Sequence, residues 1–315
     1  MASRVLVTGG SGFLGSSVVP QLAAAGLAVT SGDIRPPRTE TPGVRYVDLD
    51  VTSAETVAAA VAGHDVVIHL ASIVTPPPGL GEEAAYRVDV DGSKNVIAAC
   101  LASGVRRLVV SSSGAAYGYH ADSPAWIDEE QPVRGNDAFA YAKHKRLVEE
   151  ELARTRAAYP HLEQVVLRIG TILGATVDNQ ITDLFHKKRL LKIAGARSPF
   201  VFIWDEDLAQ IVVQAATGEV SGTFNVAGDG ALTIDQIAAR LGKKTLPIPE
   251  PVLRAALAVL HPLRLSQYGP EQTKFLQYRP VLANSRLKET FGYTPAKTSA
   301  EAFDAWLASH PAARA

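Results

Sequence analysis

Arg4-Val5-Leu6-Val7-Thr8 reads as a short buried strand, and Gly9-Gly10-Ser11-Gly12-Phe13-Leu14-Gly15 follows it without a break. From Ser16 to Ala25 the Ala, Leu and Val spacing is that of a helix, ended by Gly26. Strand, Gly-rich turn and helix in immediate succession point to a dinucleotide site. Gly9 permits the tight turn, Gly12 lets the backbone approach a pyrophosphate, and Gly15 lets the helix pack against the strand. The unpaired N–H groups at the helix start then face the phosphates, which brings Ser11, Phe13 and Leu14 into the cradle.

The next strand, Leu27 to Ser31, ends at Gly32-Asp33. A carboxylate at that tip accepts both hydroxyls of an adenosine ribose and repels a 2′-phosphate, which favours NAD. Arg35 and Arg38 stand just beyond and can neutralise a phosphate, so NADP stays open. Asp33 also fits a plain turn before Pro36-Pro37. Val44 to Val47 is a third strand, and Asp48 and Leu49 at its end fall where the adenine amino group would lie.

Downstream, strands and helical segments alternate at the spacing of βαβ units, the pattern of an α/β fold with a doubly wound parallel sheet. The near-continuous apolar run from Asp65 to Leu70 suits a strand covered on both faces. A helix is predicted over Glu82 to Ala102, a strand over Arg107 to Ser111, a helix over Tyr141 to Ala158 and a strand over Gln164 to Arg168. Pro76-Pro77-Pro78 and Gly79 mark a loop over the C-terminal end of the fourth strand, where ligands lie in such sheets. Beyond Gly174, prolines break the pattern into short pieces, which reads as a smaller C-terminal substrate lobe. The predicted division gives residues 1–170 to the dinucleotide, with a returning segment at about 200–228, and residues 171–199 and 229–315 to the substrate. Phe200 to Ile203 and Gly222 to Val226 are the stretches predicted to return toward the sheet.

Composition narrows the partners. Lys and Arg total 31 against 32 acidic residues, so no global field recruits nucleic acid or a charged membrane. The one cysteine, Cys100, lies in an Ala-rich apolar helix; it reads as a core thiol and suits a reducing compartment. No charged and apolar leader precedes the first strand, and no apolar run approaches the ~20 residues that span a bilayer. A cytoplasmic protein with a small-molecule substrate and no metal site is expected.

Tyr141-Ala142-Lys143-His144-Lys145 carries the chemistry. Positions four apart share a helix face, so Tyr141 and Lys145 point the same way. A free phenol, with a pKa near ~10, transfers protons poorly at neutral pH. An ammonium group beside it favours the phenolate and brings it into the range of general acid–base catalysis. On its own the pair also fits a surface Tyr one turn before a surface Lys; the Gly-rich turn and the serines before it tip the reading to catalysis.

Thr8 to Gly15, Asp33, His69-Leu70-Ala71-Ser72, Ser111-Ser112-Ser113-Gly114-Ala115-Ala116-Tyr117-Gly118 and Tyr141 to Lys145 together resemble the extended short-chain dehydrogenase/reductases, the family of NAD-dependent epimerases and dehydratases. The resemblance covers residues 2 to about 230 well and the last stretch loosely. It implies a Rossmann sheet with NAD held by Gly9, Ser11, Gly12, Phe13, Leu14, Gly15, Asp33, Arg35, Asp48, Leu49, Leu70, Ala71, Ser72, Tyr141 and Lys145. It also implies a catalytic hydroxyl at Ser113, four residues before Tyr117, so that Ser113, Tyr141 and Lys145 form the reacting set. Ser112, Ser113, Tyr119, Thr171, Phe200 and Trp204 are candidate substrate contacts. His69 reads as a buried strand residue and not as a base, His120 as a weak contact and His144 as a solvated helix residue.

Departures from the nucleotide-sugar branch shape the substrate expectation. Thr171 stands where that branch has Asn, Phe200 where it has an Arg for a diphosphate, and Tyr278-Arg279-Pro280-Val281 replaces its Arg-x-Gly-Asp loop. Lost cationic ligands and gained aromatics, with Phe200, Phe202, Trp204 and Tyr278 as an apolar wall, favour a substrate without a diphosphate. Arg197 and Arg279 still offer an anion site. Asp89 stands where the family often has Asn. The expected activity is an NAD-dependent oxidoreductase that interconverts a secondary alcohol or lactol and a carbonyl. The alternatives are an epimerase or dehydratase of a (nucleotide-)sugar and a non-catalytic dinucleotide sensor. Val96, Ile97, Ala98, Ala99 and Leu101 give the first long helix more apolar surface than one buried face needs, and the resemblance implies a homodimer through a four-helix interface.

Overall fold

The computed structural model describes residues 3–74, 79–177, 179–263, 265–266 and 269–314; the predicted Pro76-Pro77-Pro78 loop lies outside the described residues. Its strands are β1 Arg4–Thr8, β2 Ala28–Asp33, β3 Arg45–Asp48, β4 Val66–His69, β5 Arg107–Ser113, β6 Glu163–Ile169, β7 Thr171–Leu173, β8 Arg189–Ile193, β9 Phe202–Trp204, β10 Gly222–Val226 and β11 Lys244–Ile248. Seven of them form one parallel sheet in the order β10-β6-β5-β4-β1-β2-β3. The order reverses between β1 and β4, and there the C-terminal strand ends open a crevice for ligand.

Period-two alternation explains why these strands lie in the middle of the molecule. Val5, Val7, Val66, Ile68 and Val109 pack on one face, with α1 (Phe13–Ala24) covering it. Leu6, Val67, Leu108 and Val110 pack on the other, under α2 (Ala54–Val61). That second face also carries a long helical run: α3 (Glu82–Tyr86), a π-helical turn at Arg87–Asp91, then α4 (Gly92–Ser103). The uninterrupted helix predicted for this stretch is thus one run with a widened turn inside it. Beside it lies α5 (Ala140–Ala158).

The remaining helices belong to the C-terminal half: α6 Gln180–Phe185, α7 Asp205–Thr217, α8 Ile234–Leu241, α9 Glu250–Leu260, α10 Gln272–Gln277, α11 Ser285–Glu289 and α12 Ser299–Ser309. Of these, α7 returns to cover the first sheet face through Leu208, Ile211 and Val212. β10 joins the sheet edge as predicted for Gly222 to Val226. The stretch Phe200 to Ile203 adds no strand to the large sheet, since β9 pairs with β7, register Thr171 to Phe202, although Ile203 packs into the core of the first sheet face. A separate aromatic core forms behind it, where Phe185 meets Phe200, Phe202, Phe303 and Trp306 edge to face and Phe200 stacks on Phe202.

Val96, Ile97 and Ala99 are buried within the subunit, Leu101 is half-buried against the same core, and only Ala98 faces out. The apolar excess of this helix is therefore mostly consumed inside the fold. No helix among the described residues is long and apolar enough to cross a membrane.

A buried ion pair ties the sheet to α5. Arg168 on β6 donates from Nε and Nη2 to Glu149 on α5 at 2.9 and 2.7 Å, and from Nη1 to the Tyr117 hydroxyl at 2.7 Å. The Tyr117 hydroxyl in turn donates to Asn225 Oδ1 on β10 at 2.9 Å. Glu149→Gln leaves Arg168 charged and buried without a counter-charge, and urea unfolding is expected to show a loss of about 3–5 kcal/mol.

Candidate active site

The crevice begins with a backbone contact. Gly9 has φ +73°, and a Cβ there would stand 2.6 Å from the Ala71 nitrogen at the end of β4. At Gly15 a Cβ would collide with the Gly9 carbonyl, so neither position accepts a side chain. Gly12 is the N-cap of α1 and offers no side-chain cap, which leaves the first N–H groups of the helix to a ligand. At the tip of β2, Asp33 accepts from Ser11 N at 3.1 Å and from Arg35 N at 3.0 Å. The Arg35 side chain is exposed, its Nε 3.6 Å from Asp33 Oδ1. Asp48 ends β3 directly in register with Asp33. Leu49 turns inward, buried against Gly32. Leu70, Ala71 and Ser72 continue from β4 half-buried along the crevice, with Leu70 N bound to the Thr8 carbonyl. Diphosphate-facing helix start, ribose-facing carboxylate and closely approached β4 loop together fit a dinucleotide.

The predicted reacting set lies at the C-terminal end of β5 and the first turn of α5. The Ser113 hydroxyl accepts from Ala115 N at 3.1 Å and donates to the Ile169 carbonyl at 3.5 Å, and it favours the Tyr141 phenolate. Lys145 Nζ donates to the Ser111 carbonyl at 2.8 Å and lies 5.5 Å from the centre of the Tyr141 ring. Burial pushes the Tyr141 phenol above its usual range, Asp89 and Tyr119 add to this, and the Ser113 hydroxyl opposes it. Burial also lowers Lys145, while Asp89 and Glu149 hold its proton on.

Other expectations need correction. Ser112 is buried and donates to Glu149, because neighbouring strand residues face opposite sides and Ser112 faces α5, away from the crevice. Phe200, Phe202 and Trp204 belong to the aromatic core and form no free apolar wall. The Arg279 guanidinium lies over the Phe200 ring at 3.8 Å and near Phe275 at 4.8 Å, so a cation does stand at the place where Phe200 suggested none. Arg279 donates to the Ser198 carbonyl at 2.8 Å and makes no ion pair among the described residues. Tyr119 stacks edge-on with Phe139 and Phe275. Thr171 stays half-buried at the start of β7.

His69 is no base. Its Nδ1 pairs with Thr8 Oγ1 at 2.7 Å and its Nε2 with Ser93 Oγ at 3.0 Å, and burial takes its pKa down to about 3. His120 pairs with the Arg134 carbonyl. His144 is buried, not solvated, and its Nδ1 donates to Asp89 at 2.9 Å. The signal was in the spacing, since His144 lies three residues from Tyr141 and shares its inward face. Burial lifts the Cys100 thiol to about 12, which makes it inert core. No group of ligands suited to a metal occurs among the described residues.

Residues 5–227 match the family described as NAD dependent epimerase/dehydratase. The chain belongs to that family. An uncharacterized protein of Mycobacterium tuberculosis is 26% identical over 308 residues, covering 95% of this chain and 82% of that one. A UDP-glucose 4-epimerase of Azospirillum brasilense is 35% identical over 178 residues, 55% of this chain and 50% of its own. Among solved structures, a UDP-glucose 4-epimerase of Thermotoga maritima with UDP-glucose superposes with TM-score 0.75 at 18% identity, covering 98% of each chain. A short-chain dehydrogenase/reductase superfamily protein of Agrobacterium tumefaciens with bound NAD gives 0.73 at 22% identity, over 98% of this chain and 97% of that one. These likenesses carry the fold, and the cofactor in the family's description, NAD, is the one the crevice fits.

Asp33→Ala removes the ribose acceptor and the repulsion of a 2′-phosphate. Titration of cofactor fluorescence is expected to show weaker NADH binding and a smaller gap between NADH and NADPH.

Proposed function

We propose that this protein moves a hydride between NAD and a secondary carbinol carbon, with Tyr141 as the acid–base. The observation that carries the reading is the cluster of Ser113, Tyr141 and Lys145 beside the dinucleotide crevice. The Tyr141 oxygen takes the hydroxyl proton as hydride leaves the same carbon, Ser113 holds the substrate oxygen, and Lys145 lends positive charge and a contact to the nicotinamide ribose. Bound NAD supplies the hydride acceptor. Residues 1–170 with about 200–228 are inferred to hold NAD, and 171–199 with 229–315 the substrate.

Within this chemistry the epimerase or dehydratase outcome is better supported than a net alcohol–carbonyl oxidoreduction. The family's own description and relatives named as UDP-glucose 4-epimerases weigh on that side. Arg279 weighs with them: a guanidinium held between aromatic rings without a carboxylate partner suits a phosphate or carboxylate on the substrate. The argument against a diphosphate drawn from Phe200 therefore loses its footing. A non-catalytic sensor has no use for a retained Ser-Tyr-Lys set.

A cytoplasmic homodimer through α4 and α5 remains an inference. Its support is the exposed alanines Ala98 and Ala102 on α4 and Ala153 and Ala157 on α5, which permit close helix approach. A monomer mass in light scattering at micromolar concentration would refute it.

Incubation with NAD and a panel of nucleotide sugars, lactols and secondary alcohols, followed by NMR and by NADH absorbance, separates the outcomes. An epimerised or dehydrated sugar without net NADH is expected; stoichiometric NADH from an alcohol would restore the oxidoreductase. Tyr141→Phe is expected to keep NAD binding and lose at least ~10²-fold in turnover. Unchanged turnover in that variant ends the mechanism.

A further inference from the structure

Behind the reacting set lies a buried carboxylate–imidazole pair to which the mechanism above assigns no task. Asp89, 2% exposed, sits in the π-helical turn, and His144, 1% exposed, sits on α5 between Tyr141 and Lys145. Asp89 Oδ2 accepts from His144 Nδ1 at 2.9 Å. Asp89 Oδ1 accepts from Ser72 Oγ at 2.9 Å and from Ile73 N at 2.7 Å. One carboxylate therefore joins the cofactor-facing loop after β4 to the helix that carries Tyr141 and Lys145.

The two residues fit each other as a set. Three donors converge on residue 89, and a carboxylate accepts all three, whereas an amide would turn an NH₂ group toward one of them. A histidine donating from Nδ1 thus goes with Asp, not Asn. His144 Nε2 is buried with no hydrogen-bond partner among the described residues, which suits a bare ring nitrogen and not an imidazolium N–H. The pair then carries the single negative charge of Asp89.

The charged and titratable groups facing this charge are few. Tyr141 and Lys145 flank His144, the Asp89 partner, on α5, and the Asp89 charge raises the pKa of both. Glu149, the other carboxylate acting on Lys145, is already held by Arg168. His69 on β4 is neutral, and Tyr86 meets the His144 ring edge-on at 5.5 Å. Lys143 and Glu82 pair at 3.7 Å on the solvent side.

We propose that Asp89 is a positioning residue that sets the charge balance of the site, with His144 as its uncharged orienting donor. Its anion favours the Lys145 ammonium, opposes the Tyr141 phenolate, and fixes Ser72 and Ile73 against the crevice. This rests on the reading of Tyr141 and Lys145 given above.

Asp89→Asn keeps the shape and removes the charge. Tyr141 and Lys145 both lose a negative neighbour, so both become more acidic. The tyrosinate absorbance titration of the NAD-loaded protein, taken as the difference from the matching Tyr141→Phe protein, is expected to move to lower pH by ~1 unit. Both limbs of the kcat–pH profile are expected to follow in the same direction. His144→Gln keeps a donor to Asp89 and the charge, so its midpoint should stay at the wild-type value even if turnover falls. If Asp89→Asn alone does not fold, the double variant Asp89→Asn/His144→Gln restores a complementary amide pair and should show the same acid shift. A midpoint unmoved by loss of the Asp89 charge overturns the proposal, as does an equal shift in His144→Gln. Turnover retained in Tyr141→Phe would instead overturn the reading of the site itself.

Discussion

The backbone contact between Gly9 and Ala71 is the constraint on which the upper end of the sheet depends. At the point where strand order reverses, β1 and β4 are neighbours, yet their following segments must part and leave room for a dinucleotide. The chain does this with a turn so close to the β4 loop that a single methyl group at residue 9 has no space. Because the turn is that close, α1 starts at the crevice with its N–H groups bare, and Asp33 reaches back to the turn through Ser11. The same closeness holds the β4 loop where Asp89 can fasten it and, through His144, couple it to α5.

Much of this was legible because its signals are local. Glycines in a turn, apolar runs in buried strands and a Tyr–Lys spacing along a helix each announce themselves within a few residues. The pairing of Phe202 with Thr171 had no such signal, since it is decided by which surface of the C-terminal half closes on which. Phe200 misled for a related reason: its sequence position suggested a lost cation, but Arg279 arrives over its ring from a distant part of the chain. Ser112 and His144 are different cases. Period-two alternation already turned Ser112 away from Ser113, and helical spacing already turned His144 inward, so both were readable from the pattern had it been carried one residue further.

The buried charges divide by how completely they are matched. Glu149 and Arg168 satisfy one another and recruit Tyr117, which makes them a clamp between sheet and helix. Asp89 has its three donors but no paired cation, so its field extends to the groups around it. Arg279 has aromatic faces and a carbonyl, and burial draws its pKa down to about 9, still cationic at neutral pH. The first is a closed structural clamp, while the second and third leave charge available to the proposed reaction and substrate.

The aromatic core of the C-terminal half has a consequence for how this protein reports on itself. All three tryptophans lie after the fourth strand: Trp126 is exposed, while Trp204 and Trp306 sit in or against that core. Lys297 lies over the Trp204 ring and His310 stacks on Trp306, so each buried indole has a cationic or titratable neighbour able to dim it. The sheet strands β1 to β6 contain no indole. Intrinsic emission is therefore a gauge of the aromatic core and its rim, and melting of the central sheet is visible in it only insofar as the two come apart together.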